Sequence, residues 1–256
     1  MTHALVTGAA GAIGSAIARA LRRREPDVRL SLVDVDRAKL DEVAVGLGGD
    51  SSSATWDLAE PTALPEKVRA LVAERGPIDL LVSCAGFMEI RSFCATEWAL
   101  GARLLDVDLV SPLRLMALVA PSMVARRSGV IVNVSSMAGV TPLRGCAYYG
   151  AAKAGLAMAS EIARLELAPL GVHVVTVYPG PVRSELERRA RAQATPSVAT
   201  RWIPTGEAEP LGERIVEACH ERRARVVFPG IYELASRFPA IASAVTRALS
   251  PAPTDA

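Results

Sequence analysis

The stretch that decides the fold is ALVTGAAGAIG at residues 4–14, a short apolar run that enters a glycine-rich turn and continues as the helix-forming SAIARAL at 15–21. Gly8 permits a tight turn, Gly11 lets backbone approach a diphosphate, and Gly14 lets the helix pack on the strand. The free N–H groups of the new helix would then face an anion. Three glycines alone are weak evidence, because many Gly-rich turns are only turns.

A carboxylate follows at the expected distance from this turn. Roughly twenty residues on, the apolar run at 30–33 ends in Asp34, the position that hydrogen-bonds an adenosine ribose in dinucleotide-binding folds. Such a carboxylate accepts both ribose hydroxyls and repels a 2′-phosphate, so it favours NAD over NADP. Arg37 leaves NADP open, although a solvated residue opening the next helix is the simpler interpretation.

A tyrosine and a lysine stand four residues apart in YGAAK at 149–153, with Ser136 upstream in NVSS at 133–136. Residues four apart share one helix face, so an ammonium would lie beside a phenol. That neighbour is expected to lower the pKa of Tyr149 towards neutrality and make it a usable acid or base. The alternative is an exposed Tyr149 and Lys153 on a solvated helix.

Together these residues resemble the short-chain dehydrogenase/reductase family over nearly the whole chain. Residues 7–14 resemble its Thr-Gly-x-x-x-Gly-x-Gly loop, 57–58 its adenine-binding Asp and the residue after it, 85–86 the end of its Asn-Asn-Ala-Gly strand, and 179–184 its Pro-Gly loop at the nicotinamide. The resemblance implies the catalytic residues Ser136, Tyr149, Lys153 and Asp108. It implies cofactor contacts at Gly8, Ala10, Gly11, Ala12, Ile13, Gly14, Asp34, Asp57, Leu58, Cys84, Ala85, Gly86, Tyr149, Lys153, Pro179, Gly180, Val182 and Ser184.

The sequence departs from the family pattern in three places. Ser83 and Cys84 stand where two Asn are usual, and Ser184 stands where Thr is usual. Asp108 occupies the place of an active-site Asn that shapes a kinked helix. An ionised Asp has no N–H to donate, and near Lys153 it would either raise its own pKa or pair with the ammonium. We expect an active enzyme with a shifted pH profile.

Seven short, Val- and Leu-rich runs alternate with helix-like segments, at 4–7, 29–33, 53–56, 80–83, 130–134, 172–177 and 225–228. This predicts a doubly wound parallel α/β sheet of the Rossmann type, with helices on both faces. We expect one domain over 1–250, with a variable substrate lid at 185–210 and a C-terminal extension at 229–250 that either covers the pocket mouth or only packs. Residues 251–256 are expected to be a disordered tail. Residues placed at strand ends then share one cleft: Gly8, Asp34, Asp57, Gly86, Ser136 and Pro179.

Composition excludes several other functions. A net charge of +2 over 256 residues gives no reason to invoke nucleic acid. The four cysteines and three histidines lack metal-ligand spacing, so no metal site is expected and the thiols should be reduced. The first 21 residues lack the basic start of a signal peptide, and no apolar run has the length of a membrane span. These features predict a cytoplasmic protein, and the resemblance implies a dimer or tetramer through helices around 103–127 and 149–170.

The expected function is an NAD-dependent oxidoreductase that interconverts a secondary alcohol and a ketone. A pocket lined mostly by apolar residues favours a hydrophobic, lipid-, steroid- or polyketide-like substrate, and its expected lining is Met88, Glu89, Met137, Val140, Leu143, Cys146, Pro181 and 185–210. Four lid arginines could bind an acid group or simply face solvent: Arg188, Arg189, Arg191 and Arg201. The alternative is a cofactor-binding sensor or scaffold without turnover. Ser135 is expected to be structural, and Asp57 could serve as a helix cap as well.

Overall fold

In the computed structural model, which describes residues 2–195 and 204–255, parallel strands form one seven-stranded sheet in the order β3-β2-β1-β4-β5-β6-β7. The strands are β1 (His3–Thr7), β2 (Arg29–Asp34), β3 (Ser51–Thr55), β4 (Leu80–Ser83), β5 (Gly129–Val134), β6 (Val172–Pro179) and β7 (Arg225–Phe228). The prediction of a doubly wound parallel sheet is confirmed. The third strand begins earlier than expected, because β3 is an edge strand where half-exposed serines pair with β2 without an apolar face.

Helices cover both faces of this sheet. They are α1 (Ala12–Arg24), α2 (Arg37–Leu47), α3 (Leu64–Arg75), α4 (Trp98–Leu105), α5 (Ser111–Ala125), α6 (Ala147–Leu167), α7 (Glu185–Ala192), α8 (Ala208–His220), α9 (Tyr232–Arg237) and α10 (Pro239–Leu249). One core lies between the sheet and α1, α2 and α8, and the other between the sheet and α3, α5 and α6.

The strands are apolar on both sides because each side meets a helical layer. Along β1, Ala4 and Val6 belong to one core while Leu5 belongs to the other, and all three are fully buried. Successive side chains of a strand point to opposite faces, so a continuous apolar run is what two covered faces require.

The helical stretch Trp98–Ala125 joins α4 and α5 through a π-helical turn at Asp106–Val110. Among the described residues it is the one helix long and apolar enough to cross a membrane. It packs against β4, β5 and α6, and it carries a fully buried carboxylate, Asp108, that pairs with Lys153. These contacts make it a core helix of the α/β layer.

The C-terminal residues differ from the expected disordered tail. Residues 250–255 run back over the protein, where Ser250 and Pro253 are buried. Backbone and side-chain hydrogen bonds hold this segment against three loops, one of which ends α7. Proline and small polar residues favour disorder by composition, and here these contacts offset that tendency.

Candidate active site

The sheet order reverses between β1 and β4, and a cavity of about 1200 Å³ opens beyond the carboxyl ends of the central strands. This is where ligands bind in open α/β sheets. Every residue that the sequence assigns to catalysis or cofactor contact borders this one cavity. The topology therefore brings together residues that are far apart in the chain.

The glycine loop between β1 and α1 accepts only small residues. Gly8 has φ of 66°, and a Cβ there would lie 2.6 Å from the Cα of Ala85. A Cβ on Gly14 would overlap the Gly8 carbonyl, so α1 can start against β1 only through glycine. Gly11 has no side chain to cap the helix, which leaves the first-turn N–H groups for an anion. This backbone fits a dinucleotide diphosphate.

The carboxylate of Asp34 is directed at that loop. Its Oδ2 accepts the Ala10 N–H at 3.0 Å, and its Oδ1 accepts the N–H groups of Val35 at 2.8 Å and Asp36 at 3.2 Å. Asp34 is half-buried and borders the cavity. The backbone therefore holds a carboxylate where the sequence places a ribose.

The cations beside this carboxylate are already paired. Arg37 Nε lies 2.7 Å from Asp41 Oδ2, and Lys39 Nζ lies 3.1 Å from Asp36 Oδ2. Both ion pairs are solvent-exposed, so each contributes little stability. Arg37 is exposed and is the first residue of α2, as the simpler sequence interpretation expects.

The unusual Ser83-Cys84 pair leaves the β1–β4 edge intact. Thr7 Oγ1 accepts the N–H groups of Cys84 at 3.0 Å and Ala85 at 3.2 Å, and donates to the Val82 carbonyl at 3.3 Å. Burial raises the pKa of the Cys84 thiol to about 12, so it remains protonated. The backbone, not the missing Asn side chains, sets this part of the cavity.

Asp57 and Leu58 border the cavity after β3 and also stabilise the chain locally. Asp57 Oδ1 accepts the Ala59 N–H at 2.8 Å, and the Leu58 carbonyl accepts the Ser111 hydroxyl at 2.6 Å. This bond closes a local turn and does not cap a helix. The 3-10 turn Pro61–Ala63 follows Glu60, and α3 follows Ala63, with no side-chain cap at either start, so the capping alternative for Asp57 is wrong.

Ser135 and Ser136 end β5 with different contacts. Ser135 is buried and donates to the Lys153 carbonyl at 2.7 Å, the structural contact expected of it. Ser136 begins the following turn and accepts the Ala138 N–H at 3.1 Å. A Cβ on Gly139 would lie 2.7 Å from the Ala154 amide, so this turn packs directly on α6. The close packing holds Ser136 beside Tyr149.

Tyr149 is buried, with 8% of its surface exposed. Burial is the largest influence on its phenol and raises the pKa, and the charge of Asp108 raises it further. The ammonium of Lys153 and a hydrogen bond with Ser136 lower the pKa, but it stays above its ordinary value. The sequence-based expectation of a lowered pKa for Tyr149 is wrong. Desolvation and the carboxylate together outweigh the ammonium.

Lys153 and Asp108 form a buried ion pair. Nζ lies 3.0 Å from Asp108 Oδ1 and donates to the Val134 carbonyl at 3.1 Å, while Asp108 Oδ2 accepts the Phe87 N–H at 3.3 Å. Burial opposes the charge of Lys153, but Asp108 and Tyr149 raise its pKa overall; burial also raises the pKa of Asp108. A Cβ on Gly86 would overlap Asp108 Oδ1, so the carboxylate fills that space.

The expected substrate lining is found in part: of the segment 185–210, residues between 185 and 195 border the cavity, 204–210 do not, and 196–203 lie outside the described residues. Met88, Glu89, Met137, Leu143, Cys146 and Pro181 border the cavity. Val140 instead packs in a small core with Met137 and Tyr178. The sequence-based prediction did not include several other residues that border the cavity: Phe87, Ile90, Leu100, Arg103, Arg144, Ser250 and Pro251. No local pattern marks these residues, because tertiary packing alone brings them to the cavity.

The lid arginines are paired within α7. Arg188 and Arg189 contact Glu185, and Arg191 contacts Glu187. Bonds from Arg188 and Arg189 lower the pKa of Glu185 to about 2. Arg188 fits the interpretation of a solvent-facing residue, whereas Arg189 and Arg191 also border the cavity, so an acid-binding role stays a hypothesis for those two. Arg201 lies in 196–203, outside the described residues.

Comparison with known proteins identifies the family. The family described as short chain dehydrogenase matches residues 2–195. The chain belongs to the short-chain dehydrogenase family. It is therefore an oxidoreductase that acts on CH–OH groups with a nicotinamide dinucleotide.

Individual relatives and solved structures also belong to oxidoreductases of this kind. An uncharacterised oxidoreductase of Myxococcus xanthus is 35% identical over 184 residues, 72% of this chain and 73% of the relative. A short-chain dehydrogenase of Sphingobium yanoikuyae, solved in complex with NADPH, has 29% identity and a TM-score of 0.81, covering 98% of this chain and 96% of that one. A bulky-bulky ketone specific alcohol dehydrogenase of Comamonas testosteroni has 25% identity and a TM-score of 0.78, covering 98% and 94%.

Proposed function

We propose that the protein is an NAD-dependent dehydrogenase that interconverts a hydrophobic secondary alcohol and its ketone. The observation that supports this most directly is the grouping of Ser136, Tyr149 and Lys153 on the wall of a cavity whose other end is the glycine loop. Hydride transfer to or from the carbon of a carbon–oxygen bond requires groups that manage the proton and a site that holds the cofactor. The hydroxyl, phenol and ammonium at one end can serve the first need, and the diphosphate-binding backbone at the other end can serve the second.

Each residue has a separate role. The glycine loop would hold the dinucleotide by its diphosphate, and the nicotinamide of the bound cofactor would supply or accept the hydride. Tyr149 donates a proton to the ketone oxygen in reduction and removes the hydroxyl proton in oxidation. Ser136 donates a hydrogen bond to the same oxygen, whose charge changes during the reaction. Lys153 holds its ammonium beside the phenol and would bind the nicotinamide ribose.

The raised pKa of Tyr149 predicts different pH behaviour in the two directions. Reduction needs the protonated phenol, which is the form present at and below neutral pH. Oxidation needs the phenolate, so its rate should rise with pH as the phenol loses its proton. We expect an alkaline optimum for alcohol oxidation and a flat or falling profile for ketone reduction, measured by initial rates from pH 6 to 10.

The cofactor preference rests on Asp34. Its carboxylate is anchored by three backbone N–H groups, so it cannot easily turn away from a 2′-phosphate. Ala9 and Ala10 offer no compensating charge in the loop, and Arg37 is paired with Asp41. These contacts favour NAD for this chain, even though the Sphingobium relative was solved with NADPH.

The substrate end of the cavity supports a hydrophobic ketone. Apolar side chains from several loops border it, including Phe87, Met88, Leu143 and Pro181. The ketone-specific Comamonas dehydrogenase shares the fold and is named for bulky ketones, which is consistent with this choice. Lipid-, steroid- and polyketide-like ketones are therefore the compounds to test first.

The assembly and the compartment are part of the same proposal. Met158, Ile162 and Leu165 are exposed on one face of α6 at helical spacing. An apolar face of this kind is suited to another subunit, so we expect a homodimer or homotetramer through α4, α5 and α6. The four cysteines are free thiols, which fits a cytoplasmic protein.

The test is a panel of secondary alcohols and ketones, from cyclohexanone to diaryl ketones, assayed with NAD and NADP by nicotinamide absorbance. We expect turnover with NAD on several hydrophobic members. Binding of cofactor without turnover of any member would favour the sensor or scaffold function instead. Equal rates with both cofactors would remove the role given to Asp34.

A further inference from the structure

The substrate end of the cavity is enclosed by parts of the chain that no local motif connects. Three loops meet there: residues 90–92 after β4, residues 144–145 before α6, and residues 193–195 at the end of α7. The C-terminal segment 250–255 crosses all three. Its first residues, Ser250 and Pro251, border the cavity.

The end of α7 is bound to the C-terminal segment through backbone hydrogen bonds. The Thr195 N–H donates to the Ala252 carbonyl at 2.9 Å, and the Thr254 N–H donates to the Gln193 carbonyl at 3.0 Å. Ala194 and Pro253 form an antiparallel bridge between these two bonds. Two reciprocal backbone bonds fix the register of one strand-like segment on the other.

The loop before the catalytic helix is bound to the same segment. The Arg144 N–H donates to Ser250 Oγ at 3.0 Å, and Ser250 is 9% exposed. Gly145 has φ of 77°, and a Cβ there would lie 2.8 Å from the Pro253 ring. Position 145 therefore requires glycine both for its own backbone and for the approach of the tail.

The loop after β4 completes the closure. The Ser92 N–H donates to Asp255 Oδ1 at 3.0 Å, and the Ile90 N–H donates to Gln193 Oε1 at 2.9 Å. Gln193 also contacts the carboxylate of Glu89, which borders the cavity. The side-chain amide of Gln193 thus links this loop to the end of α7, and the backbone carbonyl of Gln193 accepts the hydrogen bond from the tail.

We propose that residues 250–255 form the outer wall of the substrate site and set the largest substrate it accepts. This rests on the proposed ketone reductase function and adds a specificity role for Ser250 and Pro251. Ser250 and Pro251 border the cavity without contacting Tyr149. The wall should therefore limit which substrate sizes are accepted and leave the chemistry of Tyr149 unchanged. Removing the wall should admit bulkier ketones, and filling it should exclude them.

The experiment compares kcat/KM for a diaryl ketone with that for cyclohexanone. Three variants are compared with the parent: a chain that ends at Leu249, Pro251→Trp, and the control Ala244→Trp on the exposed side of α10. We expect the ratio of bulky to small ketone to rise at least about tenfold in the shortened chain and to fall at least about tenfold in Pro251→Trp, as steric fit allows. The control should leave the ratio within about twofold.

Cofactor affinity separates the wall from a general loss of structure. The Kd for NADH should be the same in all four proteins, since the glycine loop and Asp34, which would hold the cofactor, lie at the other end of the cavity. Should the shortened chain not fold, Pro251→Trp decides alone. A size ratio in Pro251→Trp within about twofold of the parent overturns the proposal.

Failure of the proposed function would look different. In that case the parent turns over neither ketone, and the wall is tested by hydrogen exchange at the Thr195 and Ser92 amides. Strong protection in the parent and its loss in the shortened chain support the wall. Equal exchange in both proteins contradicts it.

Discussion

The two ends of the cavity are built in different ways. At the cofactor end, the diphosphate loop is formed by neighbouring residues along the chain: Gly8, Gly11 and Gly14 lie between β1 and the first turn of α1, and Gly8 has φ of 66°. At the substrate end, loops 90–92, 144–145 and 193–195 are brought together by the segment 250–255. A local site is readable from a short stretch of sequence, whereas a site assembled from distant loops is not.

The catalytic residues lie between these ends, and Tyr149→Phe is expected to have the largest effect. The ring keeps its packing in the buried site but loses the transferable proton, so kcat should fall more than a hundredfold, on the order of general acid–base contributions. The Kd for NADH should not change. Initial rates and fluorescence titration measure the two, and activity within threefold of the parent would remove Tyr149 from the mechanism.

Asp34→Ala tests the cofactor end. The substitution removes a carboxylate that three backbone N–H groups hold in place and that would accept two charge-assisted hydrogen bonds from the ribose. The preference for NAD over NADP, as a ratio of kcat/KM, should shrink at least about tenfold. Asp34→Asn is the matched control, because it keeps one acceptor oxygen and loses the charge. A parent that binds both cofactors equally contradicts the premise.

Much of the fold and of the cofactor end was predictable from sequence. The seven apolar runs are strands because helices cover both faces, and the assigned residues meet because carboxyl ends of parallel strands share an edge. The start of β3 was misplaced, since Ser51 carries no apolar signal at an edge. The predicted shift in the pKa of Tyr149 had the wrong direction, because burial is a property of the packed structure and not of the YGAAK spacing.

The tail shows the same limit at the substrate end. Residues 251–256 have the composition of a disordered terminus, and nothing local predicts that Pro253 packs on Gly145. The position of Gly145 before α6 is equally uninformative by itself. Contacts between residues from 57 to 163 positions apart decide this wall, so only the folded chain reveals it.

Asp108→Asn should have a moderate effect, on pH dependence more than on rate. The Asp108 charge raises the pKa of the Tyr149 phenol, so removing it should lower that pKa and move the rising limb of alcohol oxidation to lower pH. The variant also leaves Lys153 without its ion-pair partner, and we expect kcat at the new optimum within about tenfold of the parent. The measurement is a kcat–pH profile from pH 6 to 10.

Two outcomes of that profile would contradict the roles proposed for Asp108 and for the protein. An unchanged rising limb would mean that Asp108 does not act on the Tyr149 phenol. Activity that arises only in Asp108→Asn, from an inert parent, would mean that the natural protein binds cofactor without turnover.

The smallest effect on activity is expected at Ser135, whose neighbour Ser136 is the chemical residue of the pair. Ser135 donates a buried hydrogen bond to the Lys153 carbonyl at 2.7 Å, so Ser135→Ala should lower the free energy of unfolding by about 1–3 kcal/mol, measured in urea. Its kcat should stay within about threefold of the parent because the carbonyl, not the ammonium, loses a partner. Ser136→Ala is the matched variant: the stability change should be smaller, while kcat should fall by about a hundredfold, since the removed hydroxyl is the one given to the substrate oxygen. If Ser135→Ala lost as much activity as Ser136→Ala, the division between a structural and a chemical serine at the end of β5 would be wrong.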